Sequence, residues 1–150
     1  AEIHTENLRE NSELIDPEVR AKLQIGALTS ATEYIKAQRA RRLFNQQTRT
    51  AMKALDVLIT PTVAIGAPKI GENTINIAGK QESRTELLGR LTRPFNLCGY
   101  PSISIPCGFT TKGMPVGLQI VGKPFQESTV LRTAYAYEQS TTWHNIKPKI

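Results

Sequence analysis

The stretch from Thr92 to Gly122 constrains the fold more than any other part of the chain. Within it, Ser102–Ile105 alternates hydroxyl-bearing and branched apolar side chains, which predicts an extended strand with one polar and one apolar face. The turn residues at 110–113 are followed by a second apolar run at 116–121. Two extended runs joined by such a turn predict a β-hairpin, whose first strand is expected to close at 106–108.

Helix-capping residues mark the starts of two helices in the N-terminal third. Before them, a short helix and a polar connection are expected over 1–15. Asp16 before Pro17 predicts a helix to about residue 27, because aspartate caps free N–H groups and proline fits the first helical position. Ser30 with Glu33 has the capping-box spacing and predicts a long helix over 31–55. The apolar positions of this helix recur mainly three, four or seven residues apart and are expected to be buried. They are Tyr34, Ala37, Ala40, Leu43, Phe44, Ala51, Met52 and Leu55.

Three consecutive apolar residues predict a short strand over 56–60 that is covered on both faces, which is typical of α/β proteins. Together with 102–108 and 116–121 it predicts an α/β fold, a small mixed sheet flanked by helices. The segment 63–80 is rich in glycine and proline and is predicted to be a loop.

Two further helices are predicted around the hairpin. Ser83 with Glu86 has the spacing of a second capping box, opening a helix over 85–91. Residues 127–140 have apolar side chains along one side and predict the last helix. The polar, proline-containing end at 143–150 is expected to fray unless Trp143 packs on the fold.

Composition narrows the class of protein. Hydrophobic residues make up 39% and charged residues 21% of the 150 residues, as in globular proteins. Apolar runs are only a few residues long, so the sequence predicts neither a membrane span nor a secretion signal, and we expect a cytoplasmic protein. Cys98 and Cys107 do not have metal-site spacing with His4 or His144, so no metal or cofactor is expected.

A series of motifs resembles the C-terminal third of the amidase signature family. The motifs occur in the family's order across nearly the whole chain. They are Asp56–Thr62, Thr92-Arg93-Pro94 with Asn96, Gly99-x-Pro101, Ser104–Gly108, Gly113–Gln119, Pro124-Phe125-x-Glu127 and Ala136-Tyr137-Glu138. The resemblance implies the C-terminal part of the amidase signature fold and an enzyme that hydrolyses a carboxamide.

The resemblance also implies chemistry that these residues do not carry. Family members use a serine nucleophile, a second serine and a lysine base, all in a Gly/Ser-rich segment N-terminal to the region that matches here. Residues 1–150 contain no such segment and no G-x-S-x-G motif, so we expect no catalytic residue in this chain. The whole chain is expected to be the C-terminal segment of a single amidase domain. Ala1 would then lie within a helix, and the N-terminal catalytic portion would be the partner.

Candidate residues for one wall of a substrate pocket lie in and beside the motifs quoted above. Asn96 combines a hydrogen-bond donor with an acceptor beside a Gly/Pro turn. The full set is Asn96, Thr92, Ser102, Ser104 and Gln119. For each of them, a purely structural role is the alternative. The resemblance also implies that the loop 63–80 lies near the substrate entrance, although a solvated connection explains it equally well.

Three functions stay open from the sequence. The first is hydrolysis of a small-molecule amide. The second is the amidase-family subunit of a tRNA-dependent amidotransferase, in which a basic stripe would meet RNA phosphates; the stripe consists of Arg39, Arg42, Arg49 and Lys53. The third is a non-catalytic binding module. The segment 86–91 departs from the tRNA-associated pattern, so a general amidase is favoured and nucleic acid is not expected as a partner. A homodimer also stays open.

Overall fold

The computed structural model describes residues 2–147 and divides between Leu43 and Phe44 into two units. The helices are α1 Thr5–Glu10, α2 Pro17–Leu28, α3 Ala31–Ala51, α4 Arg84–Gly89, α5 Arg93–Cys98 and α6 Glu127–Ser140. The strands are β1 Val57–Pro61, β2 Thr74–Ile77, β3 Lys80–Ser83, β4 Ser102–Phe109 and β5 Pro115–Gly122. Short 3₁₀ turns occur at Glu2–His4, Ser12–Leu14, Met52–Ala54 and Trp143–Asn145.

The first unit is helical, and both predicted caps are confirmed in it. The Asp16 carboxylate accepts from the backbone N–H groups of Glu18 at 2.9 Å and Val19 at 3.3 Å. The Ser30 hydroxyl accepts from the Glu33 N–H at 3.2 Å, and the Glu33 carboxylate accepts from the Ser30 N–H at 2.8 Å. These reciprocal bonds satisfy N–H groups that the first turn of α3 leaves without helical partners.

The second unit is built on a three-stranded antiparallel sheet in the order β1-β5-β4. Helix α6 covers one face, where Ile120 of β5 packs with Val130 and Ala134. On the opposite face, Val121 packs with Met52 and Tyr100. Because neighbouring residues in a strand point to opposite faces, β5 is buried on both sides. This central strand holds the core.

The predicted hairpin is confirmed, but its first strand extends beyond the expected close. Pro106 of β4 pairs with Gly117, and Gly108 pairs with Val116, so Cys107 is one extra residue in β4. Such a β-bulge accommodates Pro106, which has no N–H to donate to a regular ladder. Strand β4 therefore continues to Phe109, whose ring packs edge-on against Trp143 with centroids 6.2 Å apart. Trp143 does dock, and the last three residues of the predicted tail lie outside the described residues.

The α/β class with helices around the sheet is confirmed. Every strand pair among residues 2–147 is antiparallel, whereas a mixed sheet needs parallel pairing as well. Strand β1 also differs from its prediction, because it pairs with β5 alone and lies at an edge of the sheet. Ile59 is accordingly 53% exposed, so β1 is not covered on both faces.

The predicted loop 63–80 contains most of a hairpin. Strands β2 and β3 pair antiparallel through a turn at Ala78 and Gly79, whose φ angles are 50° and 83°. Positive φ at both central residues matches the twist of a two-residue hairpin turn. The Asn76 side chain accepts from the Gly79 N–H at 3.0 Å and stabilises this turn.

Two helix predictions were wrong in detail. Helix α3 ends at Ala51, and of its predicted buried positions only Met52, in the following 3₁₀ turn, is buried. Tyr34 and Leu43 of the first unit are 60% and 57% exposed. The second capping box does not form, because the Ser83 side chain makes no capping bond and the Glu86 carboxylate binds Arg93 instead.

Candidate functional site

A row of polar side chains crosses the three-stranded sheet on the face opposite α6. Gln119 of β5 is in register with Thr60 of β1 and with Ser104 of β4. Residues directly opposite one another in antiparallel strands point to the same face. The three side chains therefore lie side by side, and the next row on this face pairs Val121 with Leu58 and Ser102.

Gln119 is the centre of this row and is only 3% exposed. Its Nε2 atom donates to the Thr60 hydroxyl and to the Leu91 backbone carbonyl, both at 3.0 Å. A buried amide is costly unless its donors are bonded, and these two bonds use both amide hydrogens. Gln119 thereby joins the sheet to the segment that immediately precedes Thr92.

A second polar contact lies next to Gln119 on the same face. The hydroxyl oxygens of Thr62 and Ser104 are 2.6 Å apart, which is a short hydrogen bond. Gly117 lies beneath them, because a Cβ atom added there would be 2.7 Å from the Ser104 Oγ and 2.8 Å from the Thr62 Oγ1. Glycine is therefore required at 117 for the two hydroxyls to approach each other. We call Thr60, Thr62, Ser104, Gly117 and Gln119 the polar cluster.

Thr92 and Asn96 lie on the helical segment that Gln119 contacts. The Asn96 N–H donates to the Thr92 carbonyl at 3.1 Å, so Asn96 belongs to helix α5 and not to an irregular turn. Gly99 ends the helix with φ 71°, and its N–H donates to the Phe95 carbonyl at 2.8 Å. The Asn96 side chain is exposed and Thr92 is half-buried.

Of the five residues predicted from the sequence, Ser102, Ser104 and Gln119 lie on one face of the sheet. Ser102 lies two residues before Ser104 on that face, and its hydroxyl donates to the Tyr100 carbonyl at 3.2 Å. Thr92 follows the Leu91 carbonyl that Gln119 holds, and Asn96 lies one turn further along α5. Lys80, predicted in a loop, is the first residue of β3.

Ion pairs link the two short helices beside the cluster. The Arg93 guanidinium donates to the Glu86 carboxylate at 2.6 Å and to the Thr85 carbonyl at 2.8 Å, which links α5 to α4. Arg90 donates to the carboxylate of Glu82, and this hydrogen bond lowers the pKa of Glu82 below its ordinary value. Both ion pairs are largely exposed to solvent, so each stabilises the 84–98 segment only weakly.

A surface cleft of about 420 Å³ lies near the end of β5 and was missed from the sequence. We call it the basic cleft. It is lined by Arg49, Met52, Lys53, Tyr100, Lys123, Pro124 and Phe125. Phe125 is 91% exposed and has φ 62°, which is uncommon for a bulky residue. The basic stripe and the motif that contains Phe125 were the available signals, but their meeting in one cleft depends on the fold.

The described part of the chain contains neither a membrane-spanning helix nor a cluster of metal-ligating side chains. No helix within residues 2–147 has both the length and the apolar character needed to cross a bilayer. The same residues contain no group of three or more His, Cys, Asp or Glu side chains arranged to hold a metal ion.

Comparison with known proteins identifies the family. The Amidase family model matches residues 3–131. A relative from Trichormus variabilis, one of the subunits of glutamyl-tRNA(Gln) amidotransferase, is 43% identical over 138 residues, which cover 89% of this chain and 27% of the relative. A crystal structure of an amidase superposes with a TM-score of 0.87 at 29% identity, covering 93% of this chain and 32% of that one. The corresponding subunit of the Thermotoga maritima amidotransferase gives a TM-score of 0.62 at 30% identity, covering 94% and 30%.

The chain belongs to the amidase signature family, whose members act on C–N bonds. It spans about a quarter to a third of the length of the relatives that it matches. The resemblance recognised in the motifs is therefore confirmed, together with the fold that it implied.

Proposed function

We propose that this chain forms one wall of the active site of an enzyme that hydrolyses a carboxamide, with the nucleophilic serine outside these 150 residues. The observation that carries the proposal is the polar cluster, a set of bonded amide and hydroxyl groups on a sheet whose opposite face is apolar. Membership of the family supplies the reaction class. The cluster contains no ionisable side chain, which suits a role in positioning.

In the proposed reaction a base removes the serine proton as the serine oxygen attacks the amide carbon. Backbone N–H groups hold the oxyanion of the tetrahedral intermediate. The C–N bond then breaks, the amine leaves with a proton, and water hydrolyses the acyl-serine. The residues of this chain hold the pocket wall in place during these steps. Gln119 fixes the Leu91 carbonyl and hence the start of α5, which presents the Asn96 side chain to solvent.

Asn96 is proposed as the residue that contacts the substrate, because its amide can donate to a carbonyl and accept from an amide N–H. Thr92, Ser102 and Ser104 are proposed to line the same wall. Gln119 is buried and acts through the segment that it holds, so it is proposed as a positioning residue.

The test is a chimera in which these 150 residues replace the matching region of a solved amidase. We expect hydrolysis of small amides by the chimera and none by the chain alone. Asn96→Ala should raise KM, because it removes a substrate contact, whereas Asn96→Gln should retain part of the binding. As a matched control, Asn73→Ala changes an exposed asparagine just before β2. Hydrolysis by the isolated chain would contradict the proposal, since it would place the nucleophile within these residues.

A second candidate is the amidase-family subunit of an amidotransferase that works on glutamyl-tRNA(Gln). Relatives that carry this amidotransferase name are 40% to 45% identical to the chain, whereas the segment 86–91 favours a general amidase. The discriminating assay uses the same replacement, built on the amidotransferase scaffold with its partner subunits, and supplies glutamyl-tRNA(Gln) and glutamine. Transfer of the amide nitrogen of glutamine to the glutamyl group on the tRNA would favour the second candidate, and hydrolysis of free amides without tRNA would favour the first.

A further inference from the structure

The three-stranded sheet of the second unit has two outer edges, and only one of them is protected against further pairing. Strand β4 forms the first edge and carries Pro106 and the bulge at Cys107. A proline offers no N–H to a further strand and a bulge interrupts the ladder, so both are typical of strands that end a sheet. Strand β1 forms the second edge. Its Val57–Ile59 run is apolar and free of bulges, and its proline, Pro61, is the last residue.

The register of the β1–β5 ladder shows which backbone groups of β1 face the outer edge. The Thr62 N–H donates to the Gly117 carbonyl at 2.8 Å, and this pair continues the register. Bonded and non-bonded pairs alternate along an antiparallel ladder, so the residues two and four positions before Thr62 also bond to β5. The N–H and C=O groups of Val57 and Ile59 therefore point away from β5. No strand within residues 2–147 pairs with them there.

The side chains of β1 are also those of a strand with neighbours on both sides. Three consecutive apolar residues are typical of a strand inside a sheet that is covered on both faces. Helix α6 packs on β4 and β5, however, and leaves Ile59 of β1 53% exposed. The sequence of β1 is that of an interior strand, whereas its position among the described residues is that of an edge strand. A further strand beside β1 resolves this difference.

We propose that the free edge of β1 pairs with a β-strand of the enzyme portion that bears the nucleophilic serine. The inference rests on the proposed function for the identity of this partner. The chain spans about a quarter to a third of its relatives, so the remainder of such an enzyme is large enough to supply a strand.

Pairing at this edge would connect the partner directly to the polar cluster. Ile59 faces the outer edge with its backbone, and the next residue, Thr60, accepts the hydrogen bond from Gln119. Two positions further on, Thr62 bonds to Ser104. Because all three residues lie on one short extended segment, a strand held against β1 fixes the position of the pocket wall relative to the serine.

The test is amide hydrogen exchange, measured residue by residue in the isolated chain and in the amidase chimera. In the isolated chain the N–H groups of Val57 and Ile59 should exchange freely, because no strand pairs with them. In the chimera the same two groups should exchange at least about a hundredfold more slowly, because a paired strand must open before it exchanges. The Thr60 N–H, which bonds to β5, should be protected in both proteins and verifies that the sheet has formed.

Ile59→Lys and Ile59→Val are a matched pair of variants at the edge. A lysine at an edge position opposes further pairing, whereas valine keeps a branched apolar side chain. In the isolated chain Ile59→Lys should lower the urea midpoint no more than Ile59→Ala does, because Ile59 is half exposed. In the chimera Ile59→Lys should abolish the slow exchange of Val57, and Ile59→Val should retain it. Co-expression of the chain with the complementary portion of the same amidase gives a second measurement. Co-purification of the two should be lost with Ile59→Lys and kept with Ile59→Val.

Fast exchange of Val57 and Ile59 in a chimera whose Thr60 is protected would overturn the inference, and so would co-purification of Ile59→Lys at the level of the parent. Slow exchange that appears in the isolated chain as its concentration rises would assign the edge to a second copy and overturn it as well. A chimera that hydrolyses amides with a freely exchanging edge would overturn this inference alone. A chimera with a protected edge and no hydrolysis would overturn the proposed function alone.

Discussion

Replacement of Gly117 by alanine tests whether the polar cluster is as closely packed as its distances indicate. The new Cβ would lie 2.7 Å from the Ser104 Oγ and 2.8 Å from the Thr62 Oγ1, closer than real Cβ atoms approach other atoms. The two hydroxyls must therefore separate, which breaks their 2.6 Å hydrogen bond.

The size of the effect follows from three contributions. Loss of the Thr62–Ser104 hydrogen bond costs about 1 kcal/mol. The Ser104 hydroxyl is exposed and can rotate away, so crowding adds about 1 kcal/mol, the lower end of the cost of overpacking. Replacing a strand glycine by alanine returns about 0.5–1 kcal/mol, because the unfolded chain loses freedom. We therefore expect Gly117→Ala to lower the free energy of unfolding by about 1–1.5 kcal/mol.

Urea denaturation followed by the fluorescence of Trp143, the single tryptophan, measures this change in the second unit. Ser104→Ala removes the nearest clashing atom and the hydrogen bond together. The double variant should therefore be more stable than the sum of the single effects predicts, by about 0.5–1 kcal/mol. Leu131→Ala, on the far side of the sheet, serves as the additive control. Strict additivity of Gly117→Ala with Ser104→Ala would refute the reasoning, since it would show that the two sites do not touch.

Three further outcomes are expected. Ile120→Ala should lower the free energy of unfolding by about 2–4 kcal/mol because Ile120 is 1% exposed, whereas Ile59→Ala, at 53% exposure, should lower it by less than about 1 kcal/mol in the same urea titration. Hydrogen bonds from Ser30 lower the pKa of Glu33. The ionised Glu33 therefore stabilises the start of α3 fully above the ordinary glutamate pKa, and this stabilisation is lost as pH falls through the lowered pKa. Helicity by circular dichroism should show this acid-dependent loss in the parent and lack it in Glu33→Gln. Phe125→Gly should raise the free energy of unfolding by up to about 1 kcal/mol in urea, because it relieves the positive φ without exposing buried surface.

The elements that the sequence predicted well are those with a local cause. The Ser102–Ile105 alternation fixes which face of β4 is polar, and the Asp16 and Ser30 caps act within four residues of themselves. The β2–β3 hairpin had a local signal too, because Ile75 and Ile77 alternate with polar residues before a turn. Its glycine-rich surroundings concealed that signal.

Burial and long-range contacts could not be predicted in the same way. The apolar stripe of α3 has helical spacing, but whether Tyr34 or Leu43 is covered depends on what packs against it. The Gln119 bonds join residues separated by 59 and 28 positions, so nothing in the local sequence specifies them. The motif that contains Gln119 indicated its importance, whereas its partners required the fold.

The Thr62–Ser104 pair of the polar cluster contributes little to stability, which is an argument for its role in function. A hydrogen bond between neutral groups contributes about 1 kcal/mol net, and two partners replaced together by apolar groups of similar shape often leave stability unchanged. The double variant Thr62→Val with Ser104→Ala should therefore unfold within about 1 kcal/mol of the parent. In the amidase chimera the same variant should lower kcat/KM, because Ser104 is proposed to line the pocket wall. A chimera that keeps full activity would show that these two hydroxyls serve the packing of the sheet and not the reaction.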